Sequence, residues 1–290
     1  VKKRVPPSPE KLARIRANIH MPAQAAIPDW ETFDWHRSNG AIDTDVPHSS
    51  QAFCISVWGT LARGDAGAAR AAVADLLGDQ ASRDALREAP TLRLEHVSRP
   101  VLNEYLGKAT NIDAFLIWPG LAIAVESKLR EDYGPCSQAP RNCTGRYEVG
   151  SDLKTGTDAP CRLEVQDGKR TPRAYWEVMG SLAHPGAYPT GERCPFAGGG
   201  YQVMRTIAFA ARHAERQGCD WRAVFVFPGS RSLRSGKTID AVTEPLLGEH
   251  KKRVLRLDYE ALARRLVSSD DPTSLQLGRY MEDRLATALA

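Results

Sequence analysis

Neither sign of charge dominates this 290-residue sequence: 39 Lys and Arg stand against 35 Asp and Glu, a net charge of +4. That balance excludes a histone-like polycation, so any contact with nucleic acid has to come from local clusters. Lysine is scarce, at 10 residues against 29 arginines. No run approaches the roughly 18 unbroken apolar residues of a membrane span. The opening VKKRVPPSPEK is basic but carries no apolar segment of the secretory kind. The expectation is a cytoplasmic protein with no membrane partner. Nucleophile and nucleotide motifs are missing too, with no Gly-x-Ser-x-Gly and no His-Glu-x-x-His. Ser235 to Thr238 reads SGKT after an apolar run, but the glycine a phosphate-binding loop needs five residues before Gly236 is Arg231. That substitution excludes a nucleoside-triphosphatase. A hydrophobic content of 42% excludes disorder as the main state.

Cysteine is sparse but unevenly placed. Cys54 and Cys219 stand alone, as small buried hydrophobes usually do, while Cys136, Cys143, Cys161 and Cys194 share one loop-rich stretch. The paired Cys-x-x-Cys knuckles of a zinc ribbon are absent. Three readings stay open: tetrahedral zinc as a structural staple, an iron–sulfur cluster, or unrelated free thiols.

Hydrophobic periodicity orders the rest. Residues 1–45, rich in Pro, Asp and aromatic side chains, read as an N-terminal arm with one short helix near Pro9 to Ile19. SSQAFCISVWGTL, with Ser49 or Ser50 as N-cap, predicts a short amphipathic helix. A second helix is expected from Ala66 to Glu88, with Asp65 as N-cap and a break at Gly78. TLRLEHVS, NIDAFLIW and LAIAVESKL then read as three strands. A polar insertion over 130–199 follows, then a helix, YQVMRTIAFAARHAERQG, closed by Gly218, then a fourth strand, AVFVFPG, and a helical tail over 240–290.

The chemistry concentrates in residues 111 to 128. With Pro119 and Gly120 at the tip of a hairpin, Trp118 opposes Leu121, and five residues down each strand Asp113 opposes Glu126. Glu126 and Lys128 are two apart, so they leave the same face of their strand. Two carboxylates side by side in an apolar hairpin repel and resist burial, and a divalent cation resolves both difficulties. Asp113, Glu126 and the backbone carbonyl of Ser127 offer the hard oxygens that magnesium or manganese prefers. Lys128 would then act as base toward a water or stabilise charge on phosphorus, which is the chemistry of metal-assisted phosphodiester hydrolysis.

Asp113 followed by Glu126-Ser127-Lys128 on a hairpin resembles the active-site signature of the PD-(D/E)XK nuclease superfamily. The segments SSQAFCISVWGTL, TNIDAFL, ESKLREDYGPC and GGGYQVMR are also similar to a group of bacterial restriction-endonuclease-like proteins. Ile112 stands where the proline that names the superfamily would be. The resemblance implies an α/β fold class: a restriction-endonuclease-like core of helix, three antiparallel strands, helix and strand, with a long cysteine-containing insertion. It makes 46–290 the nuclease-like domain. It implies a catalytic glutamine at Gln202 and an upstream acid, for which Glu104 is preferred over Glu95 because it lies nearer the Asp113 strand. DNA is the implied partner, and a homodimer or a targeting partner is compatible with it. Arg141, Arg146, Lys154, Arg162, Lys169, Arg170 and Arg173, with Tyr147, Tyr175 and Trp176 among them, and Arg231, Arg234 and Lys237 are the expected phosphate contacts. The alternative from another class is a non-catalytic nucleic-acid-binding module built on a metal-stapled insertion.

Overall fold

The computed structural model describes residues 6–38, 40–105, 108–136, 173–188, 194, 196 and 198–290. The arm begins with α1 (Pro9–Asn18), where Pro9 suits the first helical position and the Ser8 side chain accepts from the Lys11 N–H at 3.2 Å. A 3-10 turn (Met21–Ala26) and a small ribbon of β1 (Arg37–Ser38) and β2 (Ala41–Ile42) follow. Ile15, Ile19, Ile27, Trp35 and Ile42 form an apolar cluster against Ala52 and Ile55 of α2 (Ser50–Leu61). The arm therefore packs on the helix rather than trailing from it.

Helix α2 departs from the amphipathic expectation, because eleven of its twelve residues are buried. The arm covers one flank, while the sheet and the C-terminal helix cover others. A Cβ at Gly59 would lie 2.9 Å from the Ala23 Cβ, so glycine is what lets the 3-10 turn seat directly on α2. The expected helix over 66–88 is two helices, α3 (Gly67–Leu77) and α4 (Gln80–Ala85), separated at Gly78, which takes a left-handed φ of 67°. Asp65 does not cap α3, since its carboxylate pairs with Arg63 at 2.7 Å, whereas Asp79 caps α4 by accepting from the Ser82 N–H.

The three alternating segments form β3 (Thr91–Val97), β4 (Asn111–Trp118) and β5 (Leu121–Ser127), paired antiparallel in chain order. Then come α5 (Tyr175–Leu182), α6 (Gly200–Gln217), β6 (Asp220–Phe227), α7 (Ser232–Thr243), α8 (Gly248–Lys251), β7 (Val254–Asp258), α9 (Tyr259–Val267) and α10 (Pro272–Leu289). Strands β6 and β7 add parallel to β5, giving a mixed five-stranded sheet in the order β3-β4-β5-β6-β7. Two elements correct the expectation. Strand β7 lies inside the segment read as a helical tail, and α5 lies inside the insertion, where Tyr175, Val178, Met179 and Leu182 are buried. Apolar layers cover both faces of the sheet: α5, α6 and α7 on one, α2, α3, α9 and α10 on the other. Among the described residues no helix is long and apolar enough to cross a membrane.

Candidate active site

Strand pairing brings the acids together. Trp118 opposes Leu121 and the ladder continues to Ala114 opposite Val125, the register the Pro-Gly tip dictates. Beyond that pair the ladder stops, and the Asp113 carboxylate accepts from the Ser127 N–H at 2.8 Å. On its other side β5 is held by β6, with Lys128 N–H donating to the Val226 carbonyl at 2.8 Å. The two-residue period sends Glu126 and Lys128 toward α6 and Ser127 the other way, where its hydroxyl shares a 2.7 Å hydrogen bond with Tyr259.

Glu126 is 1% exposed, and each of its oxygens is held. Lys128 Nζ lies 2.8 Å from Oε1, Gln202 Nε2 donates to the same oxygen, and the Thr206 hydroxyl donates to Oε2 at 3.2 Å. Gln202 Oε1 accepts from the Gly134 N–H at 3.0 Å, which fixes the amide so that its nitrogen faces Glu126. Burial pushes the Asp113 carboxyl well above the usual carboxylate range, and the Glu126 charge pushes it further. Burial opposes the charge on Lys128, but Glu126 and Asp113 outweigh it and raise its pKa, so the amine stays protonated. The Tyr133 ring centre lies 5.9 Å from Nζ.

A third acid stands behind this pair. Glu95 sits on β3 where the β3–β4 register would set it opposite Asp113, and the ladder skips that position. Its φ of +48° is left-handed, a conformation that costs a non-glycine residue about 1–3 kcal/mol. Burial raises its pKa, and its carboxylate accepts from Asn111 and, at 2.7 Å, from Gln51 Nε2. Gln51 also donates to the Asp34 carbonyl and accepts from the His36 N–H and the Thr44 hydroxyl. All four of its hydrogen-bonding positions are filled.

Asp113, Glu126, Ser127, Lys128 and Gln202 all line one cavity of about 110 Å³. Its wall also includes residues the sequence reading passed over: His36 and Gln51 from the arm side, and Lys108, Thr110, Arg205 and Thr206. Arg205 and Thr206 lie three and four residues after Gln202 on α6, so helical spacing alone could have found them. Nothing in the sequence signals His36.

The structure does not bring Glu104 to the cavity. It is fully buried and its carboxylate accepts from the Thr110 N–H at 2.8 Å, the Thr110 hydroxyl at 2.9 Å and the Tyr175 hydroxyl. Chain proximity to Asp113 is thus a poor guide, because the loop after β3 turns Glu104 away while strand pairing carries Glu95 toward Asp113. Cys136 is buried and Cys194 half-buried, both packed in the core layer on the α6 side. Cys143 and Cys161 lie outside the described residues, as do Arg141, Arg146, Tyr147, Lys154, Arg162, Lys169 and Arg170. Tyr175 is core rather than surface, and Trp176 packs against Tyr188 and Phe196. Arg234 pairs with Asp132 at 2.8 Å.

The donor set suits a hard divalent cation. Both side-chain donors are carboxylates, and the raised Asp113 carboxyl is what a cation beside it would lower again. Among the described residues no group of three His, Cys, Asp or Glu is arranged to hold a metal ion. The protein would thus supply two carboxylates and a carbonyl, leaving positions for water and substrate, as magnesium sites commonly do.

Residues 7–284 match the family model described as Restriction Endonuclease associating with ARP. Comparison with curated proteins and with solved structures finds no match.

Proposed function

The chain belongs to the family Restriction Endonuclease associating with ARP, and on that premise we propose that it is a metal-dependent deoxyribonuclease with a restriction-endonuclease-like core. The observation that carries the reading is that Asp113, Glu126, Lys128 and Gln202 line a single cavity. Asp113, Glu126 and the Ser127 carbonyl would hold magnesium or manganese. Such an ion polarises a phosphate oxygen and acidifies a bound water. Lys128, 2.8 Å from Glu126, would place positive charge where negative charge grows as water attacks phosphorus, or take the proton of that water. Gln202 and Thr206 hold the two oxygens of Glu126 in fixed directions, so the carboxylate does not have to reorganise during the reaction. The water oxygen would bond to phosphorus as the bond to one sugar oxygen breaks; the water gives up a proton and the leaving sugar oxygen takes one, leaving a phosphomonoester and a sugar hydroxyl.

The test is nicking of supercoiled plasmid in magnesium or manganese by the wild type, Asp113→Ala and Lys128→Ala. Cleavage by the wild type and by neither variant is expected, whereas activity surviving both substitutions would sink the assignment. Binding without cleavage in any divalent metal would favour a non-catalytic nucleic-acid-binding module. For the four cysteines we propose a structural zinc. Elemental analysis should find zinc bound to the chain and lost on replacing Cys143 and Cys161, while a brown protein would indicate iron and sulfur instead.

A further inference from the structure

The cavity has a second end. Arg205 lines it, one turn along α6 from Gln202, and its guanidinium is fixed on three sides. Nε donates to the Thr110 hydroxyl at 3.0 Å, Nη2 donates to the Ala109 carbonyl at 3.0 Å, and the Tyr201 ring centre lies 5.2 Å from the guanidinium carbon. All of these partners are neutral. The nearest buried acid, Glu104, is kept one group away, because the Thr110 hydroxyl donates its proton to Glu104 and accepts from Arg205. Among the described residues Arg205 makes no ion pair, and its Nη1 has no hydrogen-bond acceptor.

Burial opposes the Arg205 charge, while Glu104 and Glu126 favour it through space without a direct ion pair, so a charged guanidinium stands in the cavity wall with part of its donor fork unused. Two of the five N–H donors are spent on the chain, and the residue lines the cavity. The plane is preset by two hydrogen bonds and a ring, so little freedom remains to be lost when an anion docks. Lys108, exposed at the rim of the same cavity, adds a second and more mobile cation.

We infer that Arg205, assisted by Lys108, is a binding subsite for a backbone phosphate of the nucleic-acid strand, distinct from the carboxylate end where cleavage is assigned. The guanidinium fork matches two non-bridging phosphate oxygens. The contact is a direct pairing of guanidinium with phosphate oxygens, so it does not need a divalent ion. The subsite rests on the reading of the cavity as a nuclease centre, yet it makes a separate claim, because binding is read without metal and cleavage with it.

The experiment uses the full chain and a short fluorescein-labelled DNA duplex, followed by anisotropy in EDTA over a range of KCl. Arg205→Gln keeps an amide donor near Ala109 and removes the charge. It is expected to weaken binding about tenfold and to lower the salt slope by about one. Lys108→Gln, at an exposed position that cannot disturb the core, should lower the slope by about one with a smaller loss of affinity. Asp113→Asn should bind as well as the wild type or better. Competition by inorganic phosphate should appear only at far higher concentration than competition by unlabelled duplex. Wild-type affinity and slope in Arg205→Gln would overturn the inference, and if that variant does not fold, an unchanged slope in Lys108→Gln would overturn it. Plasmid nicking in magnesium is run in parallel: absence of nicking by the wild type removes the nuclease reading and leaves the binding result to stand or fall on its own.

Discussion

Glu104 and Glu126 are both sealed from water, at 0% and 1% exposure, yet their surroundings differ in kind. Around Glu104 every donor is neutral and every bond closes inside the protein, tying β4 to the insertion helix through Thr110 and Tyr175. Around Glu126 one donor is a cation, a second carboxylate stands alongside, and the whole group faces a cavity. Burial alone therefore does not identify a working acid. A satisfied carboxylate in a closed network holds elements together, whereas one with a like-charged neighbour and an open side leaves room for an added ion, which is what the proposed function requires of Glu126.

The most direct way to break this comparison is to neutralise each acid. Glu126→Gln should reduce magnesium-dependent nicking by roughly 10²–10³-fold, and should also lower stability, because buried Lys128 loses its counter-charge. Glu104→Gln should act on stability alone, lowering unfolding free energy by about 1–3 kcal/mol in a urea titration while nicking per folded molecule falls far less. A Glu104→Gln protein that is stable but dead would erase the distinction. Gln202→Ala tests whether the open carboxylate depends on its support: a drop in kcat of about 10–100-fold with little change in melting temperature is expected.

Acid sharpens the contrast from another side. Burial and nearby cations hold His20 and His96 at about 4 in the folded protein, against 6.5 when unfolded, with Arg63 and Arg93 respectively adding to the effect. The unfolded chain takes up these protons first, so stability is whole above about pH 6.5 and falls as pH drops toward 4. Each histidine contributes about 1–3 kcal/mol over that window. Urea midpoints measured at successive pH values should show the decline, and a flat profile would remove the account. The smallest effect belongs to the closed network itself. Tyr175→Phe deletes one hydrogen bond to Glu104 and should cost about 1 kcal/mol in stability with cleavage unchanged.

Much of the acidic end was legible from residue order, because a two-residue period and a two-residue turn leave one register that buries Leu116 and Val125 together. Gln202 was named only through the family resemblance, which implies a glutamine on the helix after the third strand. What escaped had physical reasons. VLRLD is only five residues long, half-buried and flanked by helices, so β7 carries no pattern to separate it from its surroundings. Distances across a loop are invisible in one dimension, which is why Glu104, nearer to Asp113 in the chain, lies in a closed network while Glu95 comes alongside the Asp113 strand. Arg205 looked like one more basic residue on a helix, since the opening in its environment is made by Ala109 and Thr110, some 95 residues upstream.

The four-way bonding of Gln51 sets a lower limit on the working unit. A chain trimmed to begin at Val46 would lack Asp34, His36 and Thr44, leaving a buried amide with one of its four partners. Glu95 would then be free to relax from its left-handed backbone and swing away from Asp113. The arm is in that sense a clamp: its folding holds a strained acid beside Asp113, so the smallest fragment with the sheet intact is not the smallest fragment with the cavity intact.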